Sequence, residues 1–308
     1  MSDNHGWTIW QQAPLWASRP RLEDRSGWRW LELELGGVCG TDVQMVQGYA
    51  DFAGFLGHEF VARDLITGRR VVGEINVGCG LCLDCQGGDS RFCPGRVVLG
   101  IRGLDGCFAE RFCLPEGNLH QVDDLAPELA VWAEPLAAAL DVGLHLPSQS
   151  PVLVLGDGRL GALIGLALKD SHEVTVCGRY GHKLERLAAL GLHTTAQPKG
   201  LWPAIVEATG SGQGANQALQ LCRPRGTVVL KSTVAQGQGL DTNLIVVNAL
   251  KVVGSRCGQF ASALQALRSG RIDPRPLIDQ ILHLDEFPRA VRARGGFKTL
   301  LRGPAAAV

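Results

Sequence analysis

Val152-Leu153-Val154-Leu155 runs straight into Gly156-Asp157-Gly158-Arg159-Leu160-Gly161, and an apolar stretch of helical character follows to residue 168. A Gly-x-Gly-x-x-Gly pattern alone is weak, but here a strand precedes it and a helix follows. In that setting Gly156 permits the tight turn, Gly158 lets backbone approach a pyrophosphate, and Gly161 lets helix pack closely on strand. Gly156, Gly158, Arg159, Leu160 and Gly161 are therefore the candidate phosphate cradle, with the Arg159 side chain either touching the phosphates or standing in solvent. The texture repeats downstream. EVTVCG (173 to 178), LERLAALG (184 to 191), AIVEATG (204 to 210), ANQALQLC (215 to 222), GTVVLKS (226 to 232), LKVVGS (250 to 255) and SALQALRSG (262 to 270) alternate strand and helix character. Such alternation predicts an α/β fold with a parallel sheet flanked by helices. Between residues 190 and 204 the third strand of that sheet is hard to find, and Asp273-Pro274-Arg275-Pro276 ends the alternation.

The second strand of the sheet ends in Val176-Cys177-Gly178-Arg179-Tyr180, where a sheet that binds NAD usually carries an acid for the adenosine ribose hydroxyls. No acid stands there. At Gly178 and Arg179 a 2'-phosphate would gain from the Arg179 charge, with His182 or Lys183, so NADP(H) is expected in preference to NAD(H). The plainer alternative is that Arg179 stacks on adenine or is solvated. Thr209 and Gly210, and Ser232, fall at carboxyl ends of strands, where ligands bind in such sheets, and are weaker cofactor candidates.

Up to about residue 125 glycine recurs every few positions between short apolar runs, the pattern of a compact β-rich lobe. Within it Cys79, Cys82, Cys85 and Cys93 lie in GCGLCLDCQGGDSRFC, a C-x2-C-x2-C-x7-C spacing. Four thiolates gathered by tight turns close a tetrahedral shell around zinc with no position left for chemistry, which makes this a structural site. An iron–sulfur site or simple buried cysteines are the other readings. The remaining cysteines at 107, 113, 177, 222 and 257 sit in apolar contexts and read as small core residues. A thiol, an imidazole and two carboxylates are also spread over this lobe: Cys39 in GVCGTD, His58 and Glu59 in LGHEF, and Glu134 in WAEPLAAAL. Taken singly each has a dull explanation; Glu134, ahead of Pro135, could simply face the positive end of a helix dipole.

GVCGTD, GHE, the four-cysteine loop, EPLA and the glycine turn, in this order, resemble the zinc-containing medium-chain dehydrogenase/reductase family over nearly the whole chain. The resemblance implies a GroES-like catalytic domain over residues 1–140, a Rossmann nucleotide-binding domain over 141–272, and a return of 273–308 to the first domain. It implies that Cys39 and His58 hold a catalytic zinc with an open position, and that Glu59 or Glu134 completes the site directly or through water, as in the sorbitol and glucose dehydrogenase branches. It also implies that Thr41 passes the proton of an alcohol away from the metal, although a turn-capping Thr would look the same. Gln44 stands where some relatives carry a relaying histidine, which leaves the outer proton path in doubt. The chain is short for the family at its N-terminus, between Tyr49 and Gly57, and between Leu190 and Ala204.

Composition narrows the partners. Thirty basic and thirty acidic side chains cancel, and no run of five like charges occurs, so neither nucleic acid nor an anionic membrane is an expected partner. No stretch reaches about eighteen apolar residues, and ten cysteines in metal-like or core contexts point to a reducing, cytoplasmic setting. The expected function is zinc-dependent hydride transfer between NADP(H) and a small alcohol, polyol or sugar, by a dimer or tetramer. A non-catalytic redox sensor that keeps the structural zinc and the glycine turn is the alternative, with a zinc-assisted lyase or isomerase holding NAD(P) behind it. Phe52, Phe55 and Trp132 are candidate pocket walls, or else core.

Overall fold

Six strands after residue 150 pair in parallel throughout, in the order His193–Thr195, Val174–Cys177, Val152–Leu155, Trp202–Glu207, Cys222–Leu230 and Lys251–Gly254. Read in chain order this is 3-2-1-4-5-6, so the winding reverses between Val152–Leu155 and Trp202–Glu207. All four residues of Val152–Leu155 are buried, as a strand covered by helices on both faces must be. Helix Arg159–Leu168 packs on it and is buried from Gly161 to Leu168. The third strand exists but is only His193–Thr195, with no residue fully buried; a three-residue polar segment carries no hydrophobic period to find. The computed structural model describes residues 3–20, 24–48, 52–233, 239–293 and 295–306, so residues 49–51 of the shortened stretch after Tyr49 lie outside the description.

The chain divides into two compact units, one of residues 1–134, 278–294 and 298–308, the other of 135–277 and 295–297. The first is built on a seven-stranded sheet running Leu119–Gln121, Arg70–Gly73, Glu59–Asp64, Trp28–Gly37, Lys298–Arg302 and Ile278–His283, with Arg111–Pro115 also on Trp28–Gly37. Leu31 and Leu33 alternate along Trp28–Gly37 and face the core, the period-2 signal of a half-covered strand, and a register break between Leu33 and Leu35 ends that alternation. The C-terminal strand Lys298–Arg302 pairs antiparallel with it, so the end of the chain completes a sheet begun near its start. A separate three-stranded sheet, Asn76–Val77, Val97–Leu99 and Gly103–Leu104, brings the two ends of the cysteine loop together. No helix is long and apolar enough to cross a membrane among the described residues.

Phe108 sits at the centre of this unit's core, fully buried, with its ring 5.1 Å from that of Phe287. It also explains Gly57. That residue has φ +92°, and a Cβ there would lie 2.6 Å from the Phe108 ring and 2.8 Å from Cys107 Sγ. The turn carrying His58 is thus seated on Phe108. Phe108→Ala is expected to lower the unfolding free energy by about 3–5 kcal/mol, read by urea denaturation.

Candidate functional site

Three residues of the first unit converge: Cys39, His58 and Glu59 each offer a ligand atom within 4.8 Å of the others. Cys39 is the N-cap of helix Gly40–Val46, and the Asp42 side chain closes a capping box by accepting the Cys39 N–H at 2.7 Å. This fixes the start of the helix and the direction of the thiol. Thr41, on the first turn, places Oγ1 3.8 Å from Cys39 Sγ. His58 is 2% exposed and Asp42 1%, with Asp42 Oδ1 3.4 Å from His58 Nδ1, yet neither atom completes a hydrogen bond. Burial opposes protonation of His58, but the charges of Asp42 and Cys39 outweigh it and hold the ring well above its ordinary pKa. A buried imidazole, a thiol and carboxylates with one oxygen unsatisfied form a donor set that suits zinc, with Asp42 placed to orient the imidazole.

Glu59 is itself anchored. Lys298 Nζ donates to Glu59 Oε2, both side chains are about 2% exposed, and the ammonium stands 5.3 Å from the centre of the Trp132 ring. Gly37 lacks a side chain because a Cβ there would lie 2.5 Å from Glu59 Oε2 and 2.9 Å from Lys298 Nζ. Glu134, on the first turn of helix Ala133–Asp141, does not fall within the group formed by Cys39, His58 and Glu59. Trp132 and Phe55 are fully buried, so they serve as core; Phe52 is only partly covered.

Cys79, Cys82, Cys85 and Cys93 also bring four sulfurs within 4.8 Å of one another. Donation from the Leu81 and Cys82 amides pulls the Cys79 thiol down to about 6. The Cys85 amide acts the same way on Cys82, but burial and the neighbouring thiols overcome it and push Cys82 up to about 11. Four sulfurs this close cannot all be anionic without a cation among them, and all four are in the free thiol state, so the donor set fits a closed zinc shell.

In the second unit the glycine turn closes as its pattern requires. Gly156 has φ +122°, and a Cβ there would overlap the Ala208 carbonyl; one on Gly161 would overlap the Gly156 carbonyl. A Cβ on Gly158 would meet nothing within 4 Å, so the backbone there is open to a ligand. Arg159 and Leu160 begin the helix and are half-buried. Gly178 follows the second strand, Arg179 is exposed, and Asp157 Oδ2 accepts the N–H groups of Arg179 and Tyr180 at 2.9 Å each. Lys183 is 6% exposed, its ammonium 5.0 Å from the Tyr180 ring centre and 5.5 Å from that of Phe297. His182 Nε2 lies 3.0 Å from the Gly295 carbonyl. Thr209 and Ser232 meet on one buried carboxylate: Glu207 Oε1 accepts from Thr209 N at 2.8 Å, Thr209 Oγ1 at 2.6 Å and Ser232 Oγ at 3.1 Å.

Residues 25–124 match the alcohol dehydrogenase GroES-like domain. Over 294 residues the chain is 25% identical to an uncharacterized zinc-type alcohol dehydrogenase-like protein of Haemophilus influenzae, spanning 84% of this chain and 85% of that protein. The chain is thus similar to zinc-type alcohol dehydrogenases over most of its length. Its fold is that of the alcohol dehydrogenase RspB of Escherichia coli CFT073, solved with NADH (TM-score 0.87, 24% identity, 98% of this chain and 100% of that one). It is equally that of a putative zinc-binding dehydrogenase of Sinorhizobium meliloti bound to NADP (TM-score 0.86, 24% identity, 98% and 100%).

Asp42, Lys298, Asp157 and Glu207 take part in these groups without being candidates of the sequence patterns. Asp42 had a signal, an acid at the third helical position after Cys39. Lys298 had none, since its partner lies 239 positions away. Lys298→Met is expected to cost about 3–5 kcal/mol in unfolding free energy by stranding the Glu59 carboxylate without its cation, while Lys298→Arg retains most of the stability. A loss below about 1 kcal/mol in urea titration of Lys298→Met would instead place the pair among screened surface bridges.

Proposed function

We propose that this chain is a zinc-dependent dehydrogenase that moves hydride between NADP(H) and the hydroxyl or carbonyl of a small alcohol, polyol or sugar. The observation that carries the reading is the convergence of Cys39, His58 and Glu59 in a buried, negatively charged setting in which His58 and Asp42 hold unsatisfied polar atoms. A sensor that had lost its chemistry would have no need to keep three such donors together. Cys39, His58 and Glu59 hold the catalytic zinc in this proposal, Glu134 completes the shell through water, and Cys79, Cys82, Cys85 and Cys93 hold the structural one. Zinc there would supply Lewis acidity, lowering the pKa of the substrate hydroxyl toward neutrality.

The residues of the chain then divide the work. Thr41 Oγ1 would accept the proton of the substrate hydroxyl while giving up its own to water, so that it relays the proton and does not keep it, and Asp42 fixes the ring of His58. An oxidised nicotinamide bound here would supply the acceptor for the carbinol hydrogen, which would leave carbon together with both bonding electrons as the substrate becomes a carbonyl; reduction would reverse the transfer. The cofactor's pyrophosphate lies on the turn from Gly156 to Gly161, with Thr209 and Ser232 presented by Glu207. Arg179, exposed beyond a strand end with no acid of its own, pairs with the 2'-phosphate. The NADH and NADP in the Escherichia coli and Sinorhizobium meliloti structures support a nicotinamide dinucleotide in this fold. None of the ten cysteines forms a disulfide among the described residues, which fits a reducing, cytoplasmic setting.

Elemental analysis tests the metal half: wild type is expected to hold two zincs per chain and Cys39→Ser one, with dehydrogenase activity lost and NADPH binding kept. One zinc in both proteins would remove the catalytic site and favour the sensor. For the cofactor half, Arg179→Ala is expected to weaken NADPH binding about tenfold or more while NADH binding moves less than about twofold, followed by nucleotide fluorescence; equal losses for both would overturn the assignment of Arg179.

A further inference from the structure

The strand Val174–Cys177 ends without an acid, yet the structure brings a carboxylate to its end by another route. Asp157, the variable residue between the first two glycines of the turn, reaches over the end of the neighbouring strand. Its Oδ2 accepts the Arg179 and Tyr180 N–H groups at 2.9 Å each, and the residue is 8% exposed. A Cβ on Gly178 would overlap both Cβ and Cγ of Asp157 and would lie 2.5 Å from Oδ2. The carboxylate of Asp157 therefore occupies the volume that a side chain at position 178 would fill, which is where doubly wound sheets place the acid that reads the adenosine ribose. Gly178 and Asp157 are two halves of one arrangement: the strand gives up its side chain so that the loop can supply the charge.

We infer that Asp157 is the ribose-reading residue of this chain, and that Asp157 and Arg179 set its choice of nicotinamide dinucleotide in opposition. This rests on the dinucleotide reading above. Oδ2 is held by two amides, and among the described residues no donor reaches Oδ1. Oδ1 is the acceptor for the ribose 2'-hydroxyl of NAD(H). A 2'-phosphate brings negative charge toward the same carboxylate, and the exposed guanidinium of Arg179 offsets the repulsion. Lys183 does not take over that role, because its ammonium is buried against the rings of Tyr180 and Phe297. The consequence is a pocket that accepts both dinucleotides: Arg179 tips it toward NADP(H), and Asp157 keeps NAD(H) a working cofactor.

The test uses ADP-ribose and its 2'-phosphate, which lack the nicotinamide and so report the adenosine end alone, titrated calorimetrically against the full-length zinc-loaded protein. Asp157→Asn keeps an acceptor for the two amides but removes the charge. It is expected to weaken ADP-ribose about tenfold and to leave the 2'-phosphate form as tight or tighter, while Arg179→Ala shifts the ratio the other way. The double variant Asp157→Gly with Gly178→Asp returns the acid to the strand end and is expected to recover ADP-ribose binding to within about threefold of wild type; circular dichroism confirms its folding. Equal weakening of both probes by Asp157→Asn would make Asp157 a brace for the turn and overturn the inference, as would a folded double variant that binds no ADP-ribose. Failure of the wild type to bind either probe would overturn the dinucleotide reading together with this one. Because neither probe reaches the metal, a failed zinc reading leaves the test standing.

Discussion

Glu59 and Lys298 meet across 239 positions of chain in a place where neither touches water, and the first unit is arranged around that meeting. Removing two charges from water costs several kcal/mol per ion, and attraction offsets the cost only when geometry and further partners are good. Here the ammonium faces Trp132 as well as the carboxylate, and Gly37 withdraws its side chain to make room. The pair holds the C-terminal strand Lys298–Arg302 beside Trp28–Gly37 by a bond that no slipped register would reproduce. It also fixes Glu59 next to His58, so the closing of the sheet and the assembly of the metal donors are one event. Folding and site formation cannot be separated in this unit.

The charge account of the site follows from the same pair. Cys39, Asp42 and Glu59 contribute up to three negative charges around one imidazole, and Lys298 returns one. Burial opposes the charged imidazole, but Asp42 and Cys39 outweigh it and hold His58 well above its ordinary pKa. A divalent cation at the convergence would leave His58 neutral and satisfy the thiolate and carboxylate together, which is the state in which these residue types act as ligands. The four-cysteine loop shows the same tension in another form, with one thiol lowered and its neighbour raised because they share a volume too small for several free charges.

What the sequence discloses and what it hides divides by range. The glycine turn is legible because its pattern lies within a few residues of one strand and one helix, and the cysteine loop because its four thiols sit fourteen positions apart at most. Cys39, His58 and Glu59 were legible only through resemblance, since nothing in the spacing of 39, 58 and 59 says that a strand and a helix start will bring them together. His193–Thr195 was hidden because three polar residues at a sheet edge have no period to display. Lys298 was hidden because a charged residue in a C-terminal strand reads as solvated. Asp157 stands in the visible glycine pattern, but a local rule places the acid at the strand end, where Gly178 stands, and cannot report that a neighbouring loop fills the same volume.

The carboxylates that matter in both units share one construction. Glu59 gives Oε2 to Lys298, Asp42 gives Oδ2 to the Cys39 amide, and Asp157 gives Oδ2 to the amides of Arg179 and Tyr180. In each case one oxygen is spent on a strong donor that fixes the side chain, and the other is left without a donor among the described residues. A carboxylate held at one oxygen has lost its rotamer freedom before a ligand arrives, so the second oxygen can bind without that entropic cost. Glu207 turns the same construction to another end: three donors share its Oε1, and its effect is to hold Thr209 and Ser232 in place. A carboxylate that braces is therefore marked by the side-chain hydroxyls it holds, Thr209 Oγ1 and Ser232 Oγ, and not by the number of its satisfied oxygens.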